Sequence, residues 1–251
     1  MQEIVYKYRK VNEQHLTLLT ENKLWFPSVR TLRKEDENEY KNYMDYSKLS
    51  EPEKIDYIFN LAGDDRELAI SKIEECKRDN WILFDEMGKR SGEEYAKKVG
   101  VCSFSRRNDI KYQWEEYADN FNGFCIGFDL SILAERINGH FATVTYNHYK
   151  HEAPSMTIMD AFKMGATKKK DFVSENEFRI CKLHGELAED EEYQDSGTII
   201  PTSAYKEIIL GHKLDDHYRT KILSLLKENF PNIIIKVVES VTNNAIIIKR
   251  I

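Results

Sequence analysis

Glu175, Glu177 and Arg179 stand at alternate positions of the stretch DFVSENEFRI, residues 171–180. Successive side chains of a β-strand point to opposite faces, so an extended reading puts these three on one face and Phe178 and Ile180 on the other. Two chemistries fit that pattern. One is a solvated face whose arginine neutralises its acidic neighbours, and the other is a catalytic carboxylate pair on the floor of a cleft. Other groups could join them. Arg9 ends the run YKYR, Ser103 and Ser105 alternate in VCSFS, and Trp114 and Tyr117 sit three residues apart on a helical pattern, hence on one side of it. Such an aromatic pair serves either a core or a ligand platform.

The elements that must position these residues follow from period and punctuation. EIVYKYR reads as a strand with Val5, Lys7 and Arg9 on one face and Ile4, Tyr6 and Tyr8 on the other. NEQHLTLLTEN reads as a helix capped by Asn12, and KLWFPS as a short strand closed by Pro27. From about residue 35 to residue 98 the chain is charged and apolar at spacings of three and four, which predicts a helical insertion. VCSFS returns to strand, with Val101, Ser103 and Ser105 on one face. The segment DIKYQWEEYADN reads as a helix, and GFCIGFD as an interior strand whose Gly127 allows close approach of another group. Asp129 caps a helix over LSILAER, HFATVTYNHY is a strand, and SMTIMDAFKMGATKKK is a helix ending in Lys168, Lys169 and Lys170. The C-terminal half holds strands at EFRICKLHG, TIIPTS, YKEIILG, NIIIKVV and AIIIKRI, with a helix over DDHYRTKILSLLKENF. The whole is expected to be a single α+β domain over 1–251, with one principal mixed, mainly antiparallel sheet and a helical insertion over 35–98.

Composition narrows the function classes. A net charge of −6 leaves no basic excess for binding driven by non-specific attraction to nucleic-acid phosphates, although Arg106, Arg107 and Lys168 to Lys170 could form a local patch. The three lysines suit a helix C-terminus equally well. Cys76, Cys102, Cys125 and Cys181 show no metal-binding spacing, so buried free thiols and no metal are expected. His148 and His151 lack an evident third ligand. The absence of a long apolar run and of a leader-like start predicts a cytoplasmic protein with no membrane partner. There is no P-loop, dinucleotide-binding glycine motif, HExxH or nucleophile elbow.

In chain order YKYR, LWFPS, VCSFS, the WxxYA of WEEYAD, GFCIGFD, SENEFRI and KEIILG resemble the motif series of a bacterial domain family of unknown function, the one numbered 2971. The family has an Asn-Asp-Pro-Phe type of segment after its LWF strand, whereas SVRTLRKEDENEY stands here. The order of an arginine, a serine-bearing strand and a Glu-x-Glu strand is also similar to the Arg-Ser-Glu signature of ADP-ribosyltransferases. That second resemblance implies NAD as substrate. It implies Glu177 as the carboxylate that holds the nicotinamide ribose and stabilises an oxocarbenium-like state, and Glu175 as the group that orients or deprotonates the acceptor. Arg9 would meet the NAD pyrophosphate, Ser103 and Ser105 would support ribose and glutamate, and Tyr8, Trp114 or Tyr117 would complete the cofactor pocket.

The expectation is therefore an NAD-dependent ADP-ribosyltransferase-like enzyme, a bacterial toxin or phage-defence effector acting on a protein or nucleic-acid target and open to control by a regulatory or antitoxin partner. Two rivals stand beside it. One is a non-enzymatic sensor or interaction module, in which the Glu/Arg strand is a structural ion-pair network. The other is a nuclease or other hydrolase acting on nucleic acid.

Overall fold

The computed structural model describes residues 3–35, 46–147, 162, 165–183, 196–242 and 245–251. Its centre is an eight-stranded sheet in the order β12-β11-β10-β4-β1-β3-β8-β5. β1 (Ile4–Arg9), β3 (Val99–Ser105), β4 (Phe124–Asp129), β5 (His140–Thr143), β8 (Glu177–Leu183) and β10 (Tyr205–Leu210) pair antiparallel, as does β12 (Ile246–Arg250) with β11 (Ile234–Val241). Within this sheet the parallel pair is β10 and β11, and the helix Asp216–Asn229 lies between them in the chain. Parallel neighbours cannot be joined by a hairpin, so a crossover element is required there. The class is α+β with a mixed, mainly antiparallel sheet, as the sequence predicts.

Central strands are covered on both faces. In β4, Phe124, Ile126 and Phe128 pack into one core with Val5, Phe104 and Phe178, whereas Cys125 packs on the other face with Tyr8, Trp114 and Phe121. That double burial explains why FCIGF shows no polar alternation. A Cβ at Gly127 would come within 2.8 Å of Glu207 Cγ and 3.0 Å of Tyr6 Cε1, the close approach inferred from the sequence. The chain between β2 (Lys23–Phe26) and β3 holds α2 (Val29–Glu35), α3 (Glu51–Ala62), α4 (Arg66–Arg78) and α5 (Ile82–Lys98). Tyr46, Tyr57, Trp81 and Phe84 form an aromatic cluster among them and belong to the same core as Val99 and Val101 of β3. All four cysteines are free and buried.

Three segments depart from the sequence reading. HFATVTYNHY breaks after β5, and β6 (Thr145–Asn147) pairs instead with β7 (Thr167–Lys169) in a separate two-stranded parallel sheet. The helix expected to end at Lys170 lies largely outside the described residues, and Lys168 and Lys169 belong to strand β7 and not to a helix end. Residues Lys170–Glu175 form a 3-10 turn, so the strand carrying Glu177 and Arg179 begins two residues after Glu175. Among the described residues no helix is long and apolar enough to cross a membrane.

Candidate active site in a split sheet

β1 and β3 share one bridge, Tyr6↔Ser105, and then part. Beyond it β1 stays registered with β4 through Arg9, while β3 finds a different neighbour: the Val101 amide donates to the Pro27 carbonyl at 2.9 Å, and Ser28 bridges Gly100. The closing strand KLWF and its terminal proline thus occupy the place that β1 vacates. The gap is spanned by the Lys7 ammonium, which donates to the Ser103 carbonyl at 2.8 Å. α1 (Glu13–Thr20), capped by Asn12 as expected, connects β1 to β2 and closes one side of the gap with Gln14, His15 and Leu18.

The result is a cleft of about 480 Å³ lined by Lys7, Arg9, Lys10, His15, Trp25, Ser103, Ser105, Gln113, Glu116, Tyr117, Lys168, Glu175, Glu177 and Arg179, among others. Arg9 from the first strand, the serines from the third and both glutamates from a late segment converge here from distant parts of the sequence. Five cationic side chains (Lys7, Arg9, Lys10, Lys168, Arg179) face three carboxylates (Glu116, Glu175, Glu177), so the lining is locally positive on a protein of net charge −6.

Glu175, Glu177 and Arg179 are 1%, 4% and 1% exposed, which removes the solvated-face reading. Arg179 clasps Glu177 with two bonds, Nε to Oε1 at 2.8 Å and Nη2 to Oε2 at 3.0 Å, and Nη1 donates to the Gly165 carbonyl at 2.9 Å. Glu175 arrives by a different route. Asn176 adopts a left-handed backbone, φ 45°, and turns the preceding residue into the cleft although it is not part of the strand. Asparagine is among the few residues that take this conformation readily. The Glu175 carbonyl is held by Ser105 Oγ at 3.3 Å and Gln113 Nε2 at 3.4 Å, and its Oε1 accepts from the Tyr117 hydroxyl at 3.2 Å. Lys168 joins the two acids, with Nζ 2.6 Å from Glu175 Oε2 and 3.4 Å from Glu177 Oε2.

This asymmetry separates the two carboxyl groups. Burial pushes Glu177 upward, but the charges of Arg179 and Lys168, with hydrogen bonds from Arg179 and Ser103, outweigh it and hold the group at about 2. Glu175 is raised above the usual carboxylate range, chiefly by burial, with the Glu177 charge adding to it against Lys168 and Tyr117. Burial, then Arg9, lowers the Lys7 ammonium to about 8. Burial and Arg9 also bring His15 down to about 4. Its Nδ1 lies 2.9 Å from the Lys10 carbonyl, so Nδ1 carries the ring proton and Nε2 is left as an acceptor.

One aromatic assignment is corrected. Trp114 is fully buried in the core, edge-on to Tyr8 at 5.3 Å and stacked on Phe121 at 5.5 Å, with its indole N–H donated to the Asn108 carbonyl, so it offers no surface to a ligand. Tyr8 lines the cleft, but its hydroxyl is donated to the Arg107 carbonyl at 2.8 Å. Tyr117, 40% exposed, is the member of the pair that faces the cleft. Ser103 reaches Glu177 as expected, whereas Ser105 is spent on backbone, donating to the Glu175 carbonyl and accepting from the Arg107 amide. Arg106 and Arg107 make no free basic patch, since they pair with Glu3 and Asp109. His148 and His151 lie outside the described residues.

Lys7 and Lys168 are the charged site residues in contact with the others that sequence reasoning missed, and Lys10, His15, Gln113 and Glu116 of the lining were not singled out either. Lys7 had a signal: it alternates with Val5 on a core-facing side of β1. Lys168 sits in a run of three lysines, and nothing local distinguishes it from its neighbours.

Residues 113–180 match the family described as protein of unknown function, DUF2971. The match bears out the family resemblance read from the motifs. It begins at Gln113 in α6 (Lys111–Glu116), ends at Ile180 in β8, and takes in Tyr117, Lys168, Glu175, Glu177 and Arg179, while Arg9, Ser103 and Ser105 precede it. No curated protein and no solved structure matches the chain. The likeness to ADP-ribosyltransferases rests on residues alone.

Proposed function

We propose that the cleft binds NAD and that the protein is an ADP-ribosyltransferase-like enzyme of the cytoplasm, with a toxin or defence role and a protein or nucleic-acid acceptor. The observation that carries this reading is the convergence of Arg9, Ser103, Glu175 and Glu177 on one positively lined cleft where the central sheet splits. Cleavage of the nicotinamide–ribose bond sends the bonding electrons to the ring nitrogen, so the cationic ring departs neutral and an oxocarbenium-like ribose remains. A permanently ionised carboxylate suits that charge, and Glu177 is ionised throughout the physiological range. The acceptor must lose a proton as it attacks the ribose carbon, and a carboxylate raised above its usual range is the better base, which is the state of Glu175. Acids driven apart in this way mark separate roles.

The two-bond clasp of Glu177 by Nε and Nη2 of Arg179 favours a second reading, a non-enzymatic sensor whose buried charges hold the fold. Nicotinamide release from NAD by purified protein separates the two. For a transferase, Glu175→Gln, which keeps hydrogen-bonding capacity but cannot take the acceptor's proton, lowers release on the order of a hundredfold. For a sensor, wild type and variant alike release none.

A further inference from the structure

We propose that Lys7, with Arg9 beside it on the same face of β1, is the seat for a diphosphate diester in the cleft, and that Lys7 takes up a proton as the diphosphate binds. The proposal deepens the reading of this cleft and rests on it for the ligand class.

Lys7 is 3% exposed, yet the groups that hold its ammonium are uncharged: the Ser103 carbonyl at 2.8 Å, the Cys102 thiol, and the Phe104 ring at 4.9 Å. Among the described residues it forms no ion pair, unlike the buried Lys54 with Asp85 or Lys168 with Glu175. A buried ammonium is costly unless a counter-charge is supplied, and Arg9 two residues on adds repulsion. The Ser103 carbonyl and the Cys102 sulfur use two of the three N–H donors of Lys7. The side chain lines the cleft, so a ligand anion can meet the remaining donor. Two cations two residues apart on one strand face are about 7 Å apart along the backbone, a span that linked phosphates bridge.

The titration follows from the surroundings. Arg9 on β1 opposes the charged form of Lys7, while Cys102 on β3 and Glu177 on β8 favour it, and burial brings the amine to about 8. His15 on α1 stays neutral above its own pKa of about 4 and adds no charge near neutrality. A bound dianion restores the charged form, so binding near the midpoint draws a proton from solution.

Calorimetric titration with ADP-ribose tests this, because its two phosphodiester charges do not change across the range used. Only the protonated amine binds well, so affinity is expected to fall about tenfold or more between about pH 7 and about pH 9.5. Near the midpoint the observed heat should vary with the ionisation enthalpy of the buffer, reporting proton uptake. Lys7→Arg keeps its charge throughout and should bind with a flat pH profile. An absence of binding, or a pH-independent wild-type affinity without proton uptake, overturns the proposal, as does a folded Lys7→Arg with the wild-type profile. NAD cleavage combined with flat ADP-ribose affinity removes the seat and leaves the transferase reading. The pH-dependent profile without NAD cleavage does the reverse.

Discussion

Arg179 and Glu177 face each other in near-complete burial, each the other's main charge partner. Breaking a buried pair by removing one partner costs about 3 to 5 kcal/mol, and Lys168, 3.4 Å from Glu177, is the counter-charge that remains to that carboxylate. Arg179→Ala should lower the unfolding free energy by that much. Glu177→Gln should destabilise too, because Arg179 would lose the carboxylate charge that it clasps through Nε and Nη2. Read from alternation alone, with a face open to a cleft, Glu177→Gln would spare the fold; burial is what changes that expectation, and chemical denaturation of both variants checks it. Glu177 also sets an acid response. Its folded value of about 2 lies below the ordinary 4.5, so its stabilising contribution is present above 4.5 and is lost as the pH falls from there toward 2. Lys7 acts at the other end of the scale. With a folded value of about 8 against 10.5, the unfolded chain binds more protons between those values, and stability should rise with pH across that window. Unfolding free energies in urea should therefore show an acid slope that Glu177→Gln flattens and an alkaline slope that Lys7→Met flattens.

Glu175 reaches the cleft because a 3-10 turn ends at the left-handed Asn176 and strand β8 starts immediately after it. Asn176→Gly should be tolerated, since glycine takes that conformation freely, whereas Asn176→Ala should cost about 1 kcal/mol and, by moving Glu175 away from Lys168 and Tyr117, depress activity more than stability. Paired melting and nicotinamide-release measurements would show the contrast. The same turn marks where the sequence stopped being legible. SENEFRI has a strand's alternation up to Glu175, and only the backbone of one asparagine breaks it. Alternation is a face-counting signal and does not register a turn whose flanking residues return to the same side. Elements with strong caps or double burial were readable: Asn12 caps α1, Asp129 caps α7 (Leu130–Arg136), and the unbroken apolar run of β4 marks a central strand. The three-residue strand β7 was not, because its pairing with β6 is settled by partners distant in sequence.

At the scale of the whole molecule, one departure from regular pairing creates the cleft. A continuous β1–β3 ladder would satisfy the Ser103 carbonyl with backbone; the split satisfies it with Lys7 and opens the space that Arg9, His15, Tyr117 and the two glutamates line. Arg9, Ser103, Tyr117 and the two glutamates of that cleft were visible in the sequence by type, whereas the split was not, since it depends on Pro27 and Ser28 replacing β1 as neighbour to the start of β3. Loss of Trp114 from the ligand face has the same origin, because whether a helix turns one aromatic or its neighbour to a cleft is set by tertiary packing. The direct test of the central claim is calorimetric titration of the purified protein with NAD, run beside Arg9→Ala, with nicotinamide assayed in the same samples. The account predicts saturable binding by wild type, binding weakened about tenfold or more in a folded Arg9→Ala through the lost charge-assisted contact, and nicotinamide release by wild type. No NAD binding by a folded wild type, or equal binding by both proteins, would contradict it.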